Sequence, residues 1–315
     1  MTELESAIRA QPDELRRLAS LDLPPAAKRL AAGERVWLVG TGTSWHAAEL
    51  GAAMLGRAGV DARFATSNEF VRRAPLRAGD GVILISHTGE TAYARAARQR
   101  ALDMGAETVS ITAAGNDWPE AIETGARERA ETYTRSYTSA LAVLALIAGE
   151  LGAGGLGPEA VVAAANATEA ALSAPDDFPR PARLTVLAGF GPDAVTAREG
   201  ALKLREAARL PAEGYDAEYL LHGNAVPLGD QDALIVLGRD ADGFLAQLAQ
   251  AARAAGVPTV ELEQPQPADE LMAQIPLTAR LQLLALRRAE AGGHDPDKVI
   301  TGPWDDEKLW ATGGP

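Results

Sequence analysis

The stretch REGALKLREAARL (198–210) carries Glu199, Lys203 and Glu206 at i, i+4 and i+7, so a helix would present all three on one face. A carboxylate held on such a face can remove and return a proton. The same spacing also suits a plain Glu199–Lys203 surface ion pair worth a few tenths of a kcal/mol. Downstream, His222 precedes Gly223 in YLLHGNAVPLGD (219–230) and offers a ring that titrates near neutrality. Glu206 with His222 makes an acid–base pair; a helix-face ion pair and a turn histidine would explain the same residues.

A second kind of chemistry is legible in GTGTS (40–44) and SHTGET (86–91), each of which follows an apolar run and opens a helical stretch. Helix N-termini offer free N–H groups and partial positive charge, which suit phosphate. The hydroxyls of Thr43, Ser44, Ser86, Thr88 and Thr91 complete a cradle, and Gly89 lets backbone approach a ligand closely. Ordinary N-capping accounts for one hydroxyl at each turn and leaves the others open to either role. GTGTSW lacks the third glycine of a dinucleotide fingerprint, and no Walker lysine follows either turn.

The elements that must position these residues read twice along the chain. RVWLVG (35–40) and RLTVLAG (183–189) each lead through a glycine turn into a helical stretch, with Gly40 and Gly189 149 residues apart. VILIS (82–86) recurs as ALIVLG (233–238), and MGAETVSI (104–111) as AGVPTVEL (255–262), both offset by 151. Short apolar runs alternating with helices predict parallel strands with crossover helices, and the constant offset predicts a tandem duplication. VLGRDADG, the counterpart of SHTGET, lacks its hydroxyls, so an equal second phosphate site is not expected. We divide the chain into a leading helix at 1–19, a first α/β domain at 20–152, a helix and linker at 153–179, a second domain at 180–290 and a tail at 291–315.

With 315 residues, 47% of them hydrophobic, the chain can bury a sizeable core. A formal net charge of −13 argues against nucleic acid and anionic membrane as partners. No run approaches the roughly 18 apolar residues of a membrane span, and the N-terminus lacks a signal-peptide pattern. We expect a cytoplasmic protein. The absence of cysteine excludes disulfides, zinc thiolate sites and a cysteine nucleophile; no clustered metal ligands stand out, and no cofactor is expected.

Taken in order, GTGTSWHA, SHTGET, EGALKLRE and LLHG resemble proteins with two tandem sugar isomerase (SIS) domains, and the likeness runs from about Ile8 to Glu290. The nearest likeness is to the isomerase half of glucosamine-6-phosphate synthase and to SIS-type amino-sugar-phosphate deaminases and fructosamine-6-phosphate deglycases. The resemblance implies an α/β fold in which each domain is a flavodoxin-like three-layer αβα sandwich on a parallel sheet. It also implies that Thr43, Ser44, Ser86, His87, Thr88 and Thr91 surround a phosphosugar. Glu206 would then move a proton between C1 and C2 beside Lys203, while His222 would assist ring opening from the partner subunit of a homodimer with shared sites. The full synthase also needs a glutaminase domain with an N-terminal cysteine, so the expected activity is isomerisation, deamination or deglycation. A non-catalytic phosphosugar-binding regulator and a simple aldose–ketose isomerase are the alternatives.

The chain departs from the relatives at identifiable positions. His87 stands where these enzymes usually have a glutamine. In ETYTRSYTSAL (131–141), Glu131 and Thr138 fit the family pattern but its lysine is missing. Relatives often carry a tail lysine able to form a Schiff base, for which Lys298 and Lys308 are the candidates here.

Overall fold

The apolar runs become the buried strands of two parallel sheets. The structure is a computed structural model that describes residues 1–33, 35–238, 240–263 and 269–311. The first sheet contains β1 (Val36–Gly40), β2 (Ala62–Thr66), β3 (Gly81–Ile85), β4 (Glu107–Thr112) and β5 (Ala121–Glu123), in the order β2-β1-β3-β4-β5. The second contains β6 (Thr185–Gly189), β7 (Ala212–Asp216), β8 (Ala233–Leu237) and β9 (Thr259–Leu262), in the order β7-β6-β8-β9. Strand pairing is parallel throughout, with Leu38 opposite Ile83 in one sheet and Leu187 opposite Ile235 in the other. The central strands β1, β3, β6 and β8 are buried along their whole length, as expected where helices cover both faces. This α/β arrangement follows the flavodoxin-like order, whose ligands sit beyond the carboxyl ends of the first and third strands.

The opposite, amino-terminal ends of the strands carry a repeated clamp. Arg35 and Asp80, both buried, pair at 2.7 Å just before β1 and β3. Arg35 also donates to the Pro75 carbonyl at 2.9 Å, and Asp80 accepts the Arg77 N–H at 2.9 Å. Before β6 and β8 the same parts recur: Arg183 pairs with buried Asp232 and donates to the Pro227 carbonyl, while Asp232 accepts the Gly229 N–H. A buried carboxylate needs a hydrogen-bonded cation, and each clamp fastens its arginine-bearing strand end to a neighbouring turn.

The two halves share apolar packing. Val195, Leu271, Met272 and Ile275 join the core beneath the first sheet, although they lie late in the chain. Helices Arg135–Glu150 and Gln274–Gly292 are buried around most of their circumference and form the central layer. The leading segment is two helices, Glu3–Arg9 and Gln11–Leu18, which meet at Ala10. Leu4 and Ile8 of the first pack into the core of the second sheet, whereas Leu15 and Leu18 pack into that of the first. The proline-rich stretch after helix Pro158–Leu172 is fastened by Arg280 to Pro175 and Asp177, and by Arg288 to Asp176 and Phe178.

Candidate functional site

Both hydroxyl-rich turns lie at the carboxyl ends of β1 and β3, where they border one cavity of about 530 Å³. Gly42, with φ +59°, turns the chain from β1 into helix Thr43–Arg57, and Gly89, with φ +69°, does so between β3 and helix Ala92–Asp103. The positive φ favours glycine at position 89, and a β-carbon there would also displace the Asn116 side-chain amide, which would stand 2.4 Å away. Neither helix has a side-chain cap on its first N–H groups. Ser86 and Thr88 instead accept the N–H groups of Gly89 and Glu90, both at 3.2 Å, which shapes the turn and leaves their hydroxyl protons for a ligand.

Thr43, Ser44, Ser86, His87, Thr88 and Thr91 all line this cavity, together with Glu206 from the second half of the chain. The carboxylate arrives on helix Pro192–Ala208, which packs beside helix Thr43–Arg57. A hydrogen bond and an ion pair join the two: His46 Nδ1 and Glu199 meet at 2.6 Å, and Arg198 pairs with Glu49 at 2.5 Å. Thr43 donates to Glu199 at 3.2 Å and accepts from Lys203 at 2.9 Å, so its hydroxyl is engaged by the acid–base cluster.

Lys203 is wholly buried and gives its three protons to Thr43, to the Tyr133 carbonyl at 3.0 Å and to Glu206 at 2.5 Å. Burial opposes the ammonium, but Glu199 and Glu206 outweigh it and hold the Lys203 pKa above its ordinary value. Glu199 is equally buried, and there Lys203 and His46 overcome burial and push the carboxyl pKa down. At Glu206 burial wins over Lys203, and the pKa is raised. A carboxylate with elevated basicity thus faces the cavity from beside a permanent cation, a combination suited to proton abstraction.

His222 lies apart from this cavity. Its side chain is 71% exposed and its nearest charged neighbour is Glu218, at 3.8 Å. It sits where the backbone leaves helical geometry, before Gly223 at φ +107°, among the exposed side chains of Tyr219, Leu221 and Val226. Lys298 and Lys308 are exposed and do not line the cavity; the tail contributes Val299, Ile300 and Asp305 instead. Glu131 positions that tail by accepting the N–H groups of Val299 at 2.7 Å and Ile300 at 2.9 Å.

Several site residues were not singled out from the sequence. Ser67, Tyr133 and Ser136 line the cavity, and buried Glu128 accepts the N–H groups of Thr134, Arg135 and Ser136. Ser67 follows Thr66 at the end of β2, which continues the hydroxyl pattern of the other two turns; Glu128 gave no local signal.

The second sheet presents opposite chemistry at the same end. Asp193 lies in the first turn after β6, Asp216 accepts the Glu218 and Tyr219 N–H groups after β7, and Asp240 accepts those of Phe244 and Leu245 after β8. Carboxylates there complement the helix dipoles and repel a phosphate, whereas the first sheet keeps neutral hydroxyls.

Residues 29–148, which hold the first sheet, match the SIS domain family. The chain is 31% identical to glutamine–fructose-6-phosphate aminotransferase (isomerizing) of Shouchella clausii over 65% of its length and 38% of the relative's. It is 29% identical to the Pyrococcus horikoshii enzyme of the same name over 88% of its length and 52% of the relative's, so it spans about half or less of these relatives. Among solved structures it is similar to tagatose-6-phosphate ketose/aldose isomerase from Escherichia coli, with TM-score 0.81, 21% identity and 97% of each chain covered. It is also similar to the C-terminal domain of glucosamine-fructose-6-phosphate aminotransferase from Francisella tularensis, with TM-score 0.78, 20% identity and 95% and 98% of the two chains covered. For glucosamine-6-phosphate deaminase from Thermotoga maritima the TM-score is 0.79 at 17% identity, with 96% and 99% covered. Over the whole chain the fold is that of these solved structures, and residues 29–148 carry the match to the SIS domain. In sequence the chain resembles the aminotransferases, and in fold it resembles the C-terminal domain of one of them and the ketose/aldose isomerase.

Proposed function

We propose that this protein isomerises, deaminates or deglycates an amino-sugar or fructosamine 6-phosphate by transferring a proton between C1 and C2. The observation that carries the reading is that Glu206 lines the same cavity as the uncapped, hydroxyl-rich turn 86–91. The turn would hold the phosphate with neutral donors, which lets an acidic protein bind an anion. Glu206 would take the proton from one carbon and return it to the next through an enediol, or through an enolamine if the sugar is aminated. Lys203, with all three protons engaged, acts as a clamp that orients Glu206 and is not free to form a Schiff base.

His222 would complete the site from a second copy, assisting ring opening; its exposure among Tyr219, Leu221 and Val226 supports an interface at that segment. The shared strand order and the repeated arginine–aspartate clamp support the reading of the second sheet as a divergent copy of the first. Simple aldose–ketose isomerisation is the second reading, favoured by the placement of Lys298 and Lys308 outside the cavity.

A panel of hexose and hexosamine 6-phosphates and fructosamine 6-phosphates in D₂O, followed by NMR and by ammonia release, separates the reactions. Exchange at C1 or C2 with nitrogen retained or absent marks an isomerase, ammonia marks a deaminase, and release of the free amine from a fructosamine 6-phosphate marks a deglycase. Binding without exchange on any of them would leave a sensor and sink the catalytic reading.

A further inference from the structure

His87, in the turn 86–91, has its ring tautomer set by a neighbouring backbone group. The Glu128 backbone N–H donates to His87 Nε2 at 2.9 Å, so this nitrogen carries the lone pair and the ring proton resides on Nδ1. Glu128 cannot readily move away, because its carboxylate accepts the N–H groups of Thr134, Arg135 and Ser136 and the Thr134 hydroxyl at 2.7–3.3 Å. The Tyr133 ring packs against the imidazole with centroids 5.1 Å apart, which holds its plane. Nδ1 is buried and has no acceptor among the described residues, although His87 lines the cavity beside Ser86 and Thr88. Buried donors are nearly always paired, and this one borders the place where a ligand would sit. Burial, with Arg127 and Arg135, outweighs nearby Glu128 and keeps the ring pKa below its ordinary value.

We infer that His87 is a specificity-determining contact: held as the neutral Nδ1–H tautomer, it donates a hydrogen bond to an acceptor oxygen of the bound sugar phosphate. It discriminates against a ligand that places an ammonium or another donor at that point. The inference rests on the phosphosugar reading of the cavity and adds to it the direction of one hydrogen bond.

The chain has four histidines, so selective ¹⁵N-histidine labelling gives a short spectrum in which His87 is assigned by its loss in His87→Asn. The ligand-free protein at pH 7.5 should show His87 protonated at Nδ1 only, and fructose 6-phosphate should shift that resonance. His87→Leu should weaken binding roughly tenfold, the scale of one hydrogen bond to a charged or polar acceptor. His87→Asn, which offers an amide donor near the Nδ1 position, should recover most of the loss. A shift with inorganic phosphate places the acceptor on the phosphoryl group; a shift with fructose 6-phosphate alone places it on the sugar. An Nε2–H tautomer, an imidazolium, an unmoved resonance at saturation or unchanged affinity in His87→Leu would overturn the inference. If the wild type binds none of the sugar phosphates, the phosphosugar reading itself fails.

Discussion

Lys203 and Glu206 lie one turn apart on the same helix with 2.5 Å between ammonium and carboxylate, yet only Glu206 borders the cavity. On the proposed reading the cation orients and the acid reacts. Glu206→Gln keeps the shape and a hydrogen-bond acceptor for Lys203 while removing the base. C1/C2 exchange should fall by about 10²–10⁴-fold, with sugar phosphate affinity within a few-fold of wild type. Calorimetry and D₂O exchange measure the two separately; retained turnover would remove Glu206 from the base role.

The same pair sets an acid limit. Burial holds the Glu206 pKa above its ordinary 4.5, so on acidification the ionised base is lost earlier than for an exposed glutamate. Lys203 is displaced upward from 10.5 and stays charged across the neutral range. The kcat/KM profile should therefore show an acid limb with a midpoint above 4.5, and that limb should be assignable to one carboxyl. A limb at or below the ordinary glutamate value would contradict the burial argument. The sign for stability is the reverse of the usual carboxylate case: folding favours protonated Glu206, so this group costs stability as pH rises through its raised value.

Thr88→Val with Thr91→Val removes two hydroxyls from the turn and roughly preserves shape. Loss of donors to a dianionic phosphate should weaken sugar phosphate binding by at least tenfold, whereas the thermal midpoint should fall only slightly, since the structure loses the exposed Glu90 N–H bond to Thr88 but no cap of helix Ala92–Asp103. Equal affinity would reduce these hydroxyls to turn-shaping groups.

Mixed subunits test the sharing of sites. If His222 acts in the partner's cavity, Glu206→Gln and His222→Ala proteins are each impaired alone. Their equimolar mixture, after subunit exchange, should recover about a quarter of wild-type activity, because half the dimers carry one intact site of two. Light scattering giving the mass of a single chain, or no recovery on mixing, would exclude the shared arrangement.

Much of the architecture was written locally. Apolar runs of five or six residues bounded by glycine turns can scarcely form anything but buried parallel strands when helices separate them. The hydroxyl turns were legible because residue type and position relative to a strand already state the chemistry. Legible in principle, but passed over, was the recurrence of Arg35 with Asp80 as Arg183 with Asp232, two pairs whose partners lie far apart in sequence. Glu128 was illegible: nothing in its neighbours announces that its carboxylate gathers the N–H groups at 134–136 while its own N–H meets His87.

By itself, the order of residues determined the α/β class, the paired series of strands and the hydroxyl-rich turns at the strand ends, since these depend on contacts within a few residues. Tertiary structure alone decided that His46 from the first half meets Glu199 from the second, that Thr43 joins the acid–base cluster, and that Glu206 enters the cavity while His222 points to solvent. The physical reason is distance along the chain. Helices Thr43–Arg57 and Pro192–Ala208 come together because both bury apolar faces in a common layer, and their polar residues are carried into register only by that packing.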